Sequence, residues 1–178
     1  MKRHLLALGV LALAMSAAPA LADDAATPAQ PDNAAQMAQP AAAQHVVYAA
    51  KDLKWMDGPP GLPAGAKFTV LAGNPMAPGI YTIRAMFPAG YKIPAHFHAA
   101  DENVTVIAGE FGIGMGDALD MAKGDVMSSG GFTSLPAGMH HFAWTKKGAT
   151  VQIHGMGPFS ITYLNPSEDP RNAKEAAK

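Results

Sequence analysis

Four of the seven histidines, His96, His98, His140 and His141, fall in two short segments that each begin with glycine and contain proline. Residues two apart on a β-strand project from the same face, so His96 and His98 form half of a metal site while Phe97 points the other way. Glu102 follows four residues after His98, across what reads as a tight turn at 99–101. From the neighbouring strand its carboxylate can return toward the same imidazoles. A further ligand must come from elsewhere, and Pro136-Ala137-Gly138 reads as a turn into a strand that starts with His140 and His141. With no cysteine in the chain, thiolate chemistry and thiolate metal sites are excluded. Imidazole nitrogen and carboxylate oxygen without sulfur suit Fe(II), Mn(II), Ni(II), Co(II) or Zn(II).

The elements that must hold these residues read as all-β. From His45 onward, short runs of β-branched and aromatic residues alternate with Gly, Pro, Asn and Asp at intervals too short for helices. Candidate strands are 46–49, 68–71, 80–87, 92–98, 104–108, 111–115, 126–128, 133–135, 141–145, 151–154 and 160–164. Gly58-Pro59-Pro60-Gly61, Asn74-Pro75, Gly109-Glu110 and Gly130-Gly131 are among the expected turns. So many short strands predict a sandwich or barrel, with a jelly roll favoured because it leaves few exposed edges. Residues 45–166 are taken as this single domain. Residues 167–178 have helix-like composition without an apolar stripe and are expected to be a short exposed tail.

At this point the residues bring a family into view. Gly90, five residues, His96, one residue, His98, three residues, Glu102, six residues, Gly109 reproduces the first cupin motif. Gly130, five residues, Pro136, one residue, Gly138, two residues, His141 resembles the second, which departs only at Thr145, where the family often has Asn at a position that is not a ligand. The 20-residue spacer between the motifs is similar to that of small bacterial single-domain cupins. The resemblance implies a cupin-type double-stranded β-helix, a jelly-roll barrel in which His96, His98, Glu102 and His141 converge on one divalent metal ion. It also makes homodimers an expectation.

Other candidates are given blander roles. His140 neighbours His141 on a strand and should face outward. Asp101 reads as a solvated turn residue, His154 as an ordinary strand residue, and Arg84 as a solvent-facing one. Eight methionines between Met56 and Met156 raise a copper hypothesis, but their spacing is irregular and core filling accounts for most of them. Met115, Met127, Phe111, Phe132 and Trp144 are expected to line an apolar pocket around the ion.

Lys2 and Arg3, an apolar run over 5–15 and Ala20-Leu21-Ala22 form a signal-peptide pattern, with cleavage expected after Ala22. The run is well short of the roughly 20 residues that span a bilayer. Export would place the chain in the periplasm or outside the cell. Residues 23–44, rich in Ala, Pro and Gln, read as a disordered linker, since they cannot bury enough surface to offset the entropy of ordering. Without Lys2 and Arg3, 11 of the 13 basic residues remain against 14 acidic ones, a formal charge of −3 with no basic cluster. Nucleic acid and membrane surfaces are therefore poor partners, and a small molecule is the expected one. Two functions stay open: a metal-dependent enzyme of oxygenase, decarboxylase or isomerase type acting on a small organic molecule, and a non-catalytic periplasmic module that binds a metal or small ligand.

Overall fold

The computed structural model describes residues 45–172. The expected signal peptide, the linker and residues 173–178 lie outside the described residues. Ten strands follow in order: β1 Met56–Asp57, β2 Lys67–Ala72, β3 Gly79–Phe87, β4 Lys92–Phe97, β5 Glu102–Met115, β6 Asp125–Ser128, β7 Phe132–Leu135, β8 His141–Trp144, β9 Ala149–Gly157 and β10 Thr162–Tyr163. The chain is all-β as expected, and every pairing is antiparallel.

The long strand β5 joins two curled sheets into a jelly-roll half-barrel. Its first half pairs with β9 and β7, extending a sheet that continues through β3, β2 and β1. Its second half pairs with β6 and β8, and β8 continues to β4 and β10. The sequence reading splits this strand at Gly109-Glu110. Instead the register shifts between Val106 and Ala108, and Gly109 follows in a left-handed conformation with φ +80°. The glycine therefore marks a bulge at which one strand bends from the first sheet into the second. A Cβ there would lie 2.3 Å from the Gly148 carbonyl oxygen. Residues 46–49 are another difference: Val46, Val47 and Tyr48 are exposed and form no strand, with a 3-10 turn at Ala50–Asp52 after them.

Alternation along β3 and β9 turns Tyr81, Ile83, Ala85, Phe87, Val151 and Ile153 inward. Val106 and Val151 are at most 1% exposed and sit at the centre of the packing. Phe87 stacks on Tyr91 and Phe111 with ring centroids 4.9 and 5.5 Å apart.

Strand β8 is buried along its whole length because both its faces are covered. His141 and Ala143 face the interior cavity. Phe142 and Trp144 lie on the other face, where a Cβ on Gly114 would fall 2.3 Å from the Phe142 ring and one on Gly112 2.1 Å from the Trp144 ring. Small residues here make room for large ones, and Trp144 packs away from the pocket it was expected to line.

Gly109→Ala should lower the unfolding free energy by about 2–4 kcal/mol, since it combines a disfavoured φ with a backbone collision. Gly130→Ala also meets a positive φ but nothing within 4 Å, and should cost only ~1 kcal/mol. Equal losses in urea titrations of the two variants would show that the bend in β5 does not depend on Gly109.

Candidate metal centre

The centre begins with an irregularity in β4. Pro94 has no N–H to give to the sheet, and the β4–β8 register shifts between Ile93 and His96. Beyond this shift His96 pairs across β8 with His141 and across β10 with Tyr163. His98 lies just past the end of β4, and the turn at 99–101 delivers Glu102 as the first residue of β5. Two hydrogen bonds fasten this turn to the one before β8: Gly138 N donates to the His98 carbonyl at 2.9 Å, and Ala137 N donates to Asp101 Oδ1 at 2.8 Å. Asp101 is thus more than a solvated turn residue, because it ties the two histidine-bearing segments together.

His96, His98, Glu102 and His141 are all buried and meet in one place. The His96 ring centroid lies 5.0 Å from that of His98 and 4.2 Å from that of His141. One ring nitrogen from each histidine lies within 4.8 Å of the other two. Glu102 Oε2 is 3.4 Å from His98 Nε2 and 3.7 Å from His141 Nε2.

Each imidazole has its Nδ1 beside a backbone carbonyl: Pro94 at 2.7 Å for His96, Ser160 at 2.5 Å for His98 and Met139 at 2.9 Å for His141. A carbonyl only accepts, so Nδ1 carries the proton in all three rings, and a neutral ring then presents its lone pair on Nε2. Carbonyls placed in this way are the outer partners that a metal-binding histidine uses to hold its ring. The 3.4 Å approach of Glu102 does not have hydrogen-bond geometry, and His98 Nε2 is a buried polar atom with no hydrogen-bond partner among the described residues. An unpartnered buried nitrogen beside a buried carboxylate is a costly arrangement in an apolar barrel, and the donor set fits a divalent cation.

The electrostatics divide the three histidines. Burial, reinforced by His141, pushes His96 down to about 3. Burial likewise lowers His141 despite its bond to the Met139 carbonyl. His98 goes the other way: burial pulls it down, but the Glu102 carboxylate outweighs burial and raises it. Glu102 is opposed by burial and is nonetheless held below the usual carboxylate range by His98, with His141 and His96 assisting.

These residues line an interior cavity of about 650 Å³ whose walls are otherwise mainly apolar, including Ile83, Phe87, Ile93, Phe111, Ile153 and Phe159. Of the five residues expected to line it, only Phe111 does. Met115 and Phe132 are 47% and 56% exposed on the outside, and Met127 packs against the core elsewhere. His140 is outside the cavity with Nδ1 2.7 Å from Asp117 Oδ1, and its ring lies 5.6 Å from that of Phe97. Arg84 bonds Gln152 at 3.3 Å, and the carbonyl of His154 accepts from Asn103 at 3.4 Å.

Two contributors escape the sequence reading. Tyr81 pairs with Gly155, and Gly155 pairs with Glu102, so a phenol and a carboxylate flank a position with no side chain. A Cβ on Gly155 would lie 3.3 Å from the Tyr81 hydroxyl and 2.6 Å from the Asp101 carbonyl oxygen. A glycine inside the β-branched run of β9 was the available signal. The Ser160 carbonyl had none, because a main-chain acceptor has no sequence signature.

Comparison with known proteins agrees with this architecture. The sequence matches the ChrR cupin-like domain family over residues 43–159. No curated protein matches it significantly. Among solved structures it is similar to the polyketide cyclase RemF from Streptomyces resistomycificus, with 18% identity, TM-score 0.60, and coverage of 74% of this chain and 94% of that one. It is also similar to an RmlC-like cupin from Shewanella frigidimarina (18% identity, TM-score 0.50, 64% and 92% covered). The DMSP lyase DddQ from Ruegeria pomeroyi gives 19% identity, TM-score 0.50, and coverage of 62% and 60%. At these identities the likeness is one of fold. Both sequence motifs, the jelly roll that carries them and the family match over residues 43–159 place this chain in the cupin superfamily, as a member of the ChrR cupin-like domain family.

Proposed function

We propose that this chain holds one divalent metal ion through His96, His98, His141 and Glu102, and that it is a metal-dependent enzyme acting on a small organic molecule. The observation that carries the metal site is the shared tautomer: three buried imidazoles with Nδ1 turned to backbone carbonyls, facing one buried carboxylate. When bound, the ion would supply Lewis-acid polarisation of a ligand oxygen. The protein's own part is to hold the ligand set rigid, exclude bulk water and present an apolar wall to the substrate. Glu102 can also accept a proton, since it is ionised and faces the cavity.

The apolar lining favours a substrate that is itself largely apolar. Two of the structures with the same fold are named as a cyclase and a lyase, which supports turnover over passive binding. Oxygenation, decarboxylation and isomerisation all suit a site of this composition. We also propose export, on the leader pattern of Lys2, Arg3, the apolar run and Ala20-Leu21-Ala22. Protein recovered from the periplasmic fraction should begin at Asp23, and recovery of uncleaved chain from the cytoplasm would overturn that part of the reading.

Elemental analysis of the untagged protein, purified without chelators, should give close to one iron, manganese, nickel, cobalt or zinc ion per chain. The double variant His96→Ala, His141→Ala should hold less than about a tenth of that. An ion at a hundred times its Kd stabilises the fold by ~2.7 kcal/mol, so chelation should lower Tm by on the order of 10 °C. Absence of metal before and after reconstitution would refute the site.

Imidazole ¹⁵N spectra of the chelated protein should show His96 still neutral at pH 5, protonated on Nδ1 alone, because its pKa is lowered to about 3. An ordinary imidazole, near 6.5, is mostly charged there. Titration of His96 near 6.5 would mean that it is not enclosed as described.

A further inference from the structure

Arg171 lies beyond the last strand, in the segment expected to be an exposed tail. It is the one lysine or arginine among the described residues lining the cavity that also holds the histidines and Glu102. Its side chain is 45% exposed, and one side of the guanidinium is bonded. Nε donates to Asp169 Oδ1 at 2.8 Å, and Nη2 donates to Asp169 Oδ2 at 2.6 Å and to the Ile161 carbonyl at 3.1 Å. These bonds occupy the N–H groups of Nε and Nη2. The two on Nη1 have no partner among the described residues. Nη1 faces Gly61, where a Cβ would come within 3.8 Å of it and 2.9 Å of Ile161 Cγ2. Gly61 is buried and lines the same cavity as Arg171, so Nη1 lies beside the cavity wall.

The backbone ties this cation to the metal centre. Ser160 offers its carbonyl to His98, and the next residue, Ile161, offers its carbonyl to Arg171. The guanidinium is thus fixed to the same short segment that orients one of the imidazoles, with Phe159 and Ile161 between them on the cavity wall. A rigid donor pair, left open at the edge of an apolar cavity, is suited to an anionic group on an apolar ligand. Asp169 already offsets the charge of Arg171, so this position suits a monoanionic carboxylate better than a phosphate dianion.

We propose that Arg171 is a specificity-determining residue of this cavity, receiving through Nη1 the carboxylate of a monocarboxylic ligand whose apolar body lies against Phe87, Phe111, Ile153 and Phe159. This substrate class rests on the reading of the cavity as the substrate site, but it does not require the ion to be the group that takes the carboxylate.

Calorimetric titration of the full chain with octanoate, 1-octanol and acetate tests it. Octanoate should bind the parent protein about tenfold or more tightly than it binds Arg171→Gln or Arg171→Met, the loss expected for a charge-assisted hydrogen bond. Gln retains a donor for the Ile161 carbonyl, and Met retains the apolar stem. Octanol should bind parent and variants within about twofold of one another, which reports an intact cavity, and acetate should bind none of them measurably. The octanoate difference should persist after chelation. If octanoate binding is unchanged in both variants but lost on chelation, the carboxylate goes to the ion; the Arg171 proposal then fails and the metal reading stands. If the Arg171 dependence persists in a protein that takes up no metal, the reverse holds. Failure of octanoate to bind the parent protein overturns the proposal outright, as does equal loss of octanol and octanoate in both variants.

Discussion

Glu102 is a carboxylate enclosed in a barrel whose other inward-facing residues are mostly apolar. Burying an ion costs several kcal/mol after relaxation, and it persists only where well-placed charges or donors compensate. Here the groups that face it are three imidazoles, which could hold a cation together with the carboxylate only if their rings stay fixed. Carbonyls of Pro94, Met139 and Ser160 fix them. Those carbonyls come from the β4 irregularity, the turn before β8 and the segment before β10, so a single carboxylate constrains the backbone at three separate places. Compensation is incomplete, because His98 Nε2 has no hydrogen-bond partner among the described residues. A positive charge among these atoms would resolve what is left unsatisfied.

The glycines of the two motifs have different tasks in meeting that constraint. Gly109 lets β5 bulge and pass from one sheet to the other, so the strand that begins with Glu102 in the first sheet carries Phe111 into the cavity wall in the second. Gly138 takes a positive φ of 74° and turns its N–H to the His98 carbonyl. This bond, with that of Ala137 to Asp101, sets the distance between the histidine pair and His141. The spacing of a motif is in this sense a record of backbone bends and of the hydrogen bonds that lock them.

The choice of Glu102 and His141 to join the His96–His98 pair was implied by the resemblance to the cupin motifs, whereas the all-β class and that pair were legible because period-two alternation and turn residues are local signals. Gly109 was misread for the same reason. A glycine with positive φ looks alike in sequence whether it ends a strand or bulges one. The cavity lining was the least legible part. Trp144 and Phe132 have the composition of pocket residues, but which face of a strand is inward depends on the sheets stacked against it. On β8 both faces are covered, so hydrophobicity could not tell His141 and Ala143 from Phe142 and Trp144. Arg171 lay outside any pattern, since its place is set by Asp169 and two main-chain positions.

The distribution of side chains along β5 shows how the barrel separates stability from chemistry. Glu102 stands at the start of the strand and forms a polar corner of the interior with the three imidazoles. Val104 and Val106 follow within the core, and Phe111 then joins the stack with Phe87 and Tyr91. The aromatic stack and the paired valines of β5 and β9 supply apolar burial away from the imidazoles. Burial there does not depend on what occupies the polar corner, so the unsatisfied nitrogen at His98 can persist without unfolding the domain. The cavity between these two ends joins them: its walls are core residues whose inner surfaces have been left uncovered. A larger aliphatic side chain at Ala85 or Ala143 would add packing at the expense of the cavity, so the volume left open depends on small residues at these two positions.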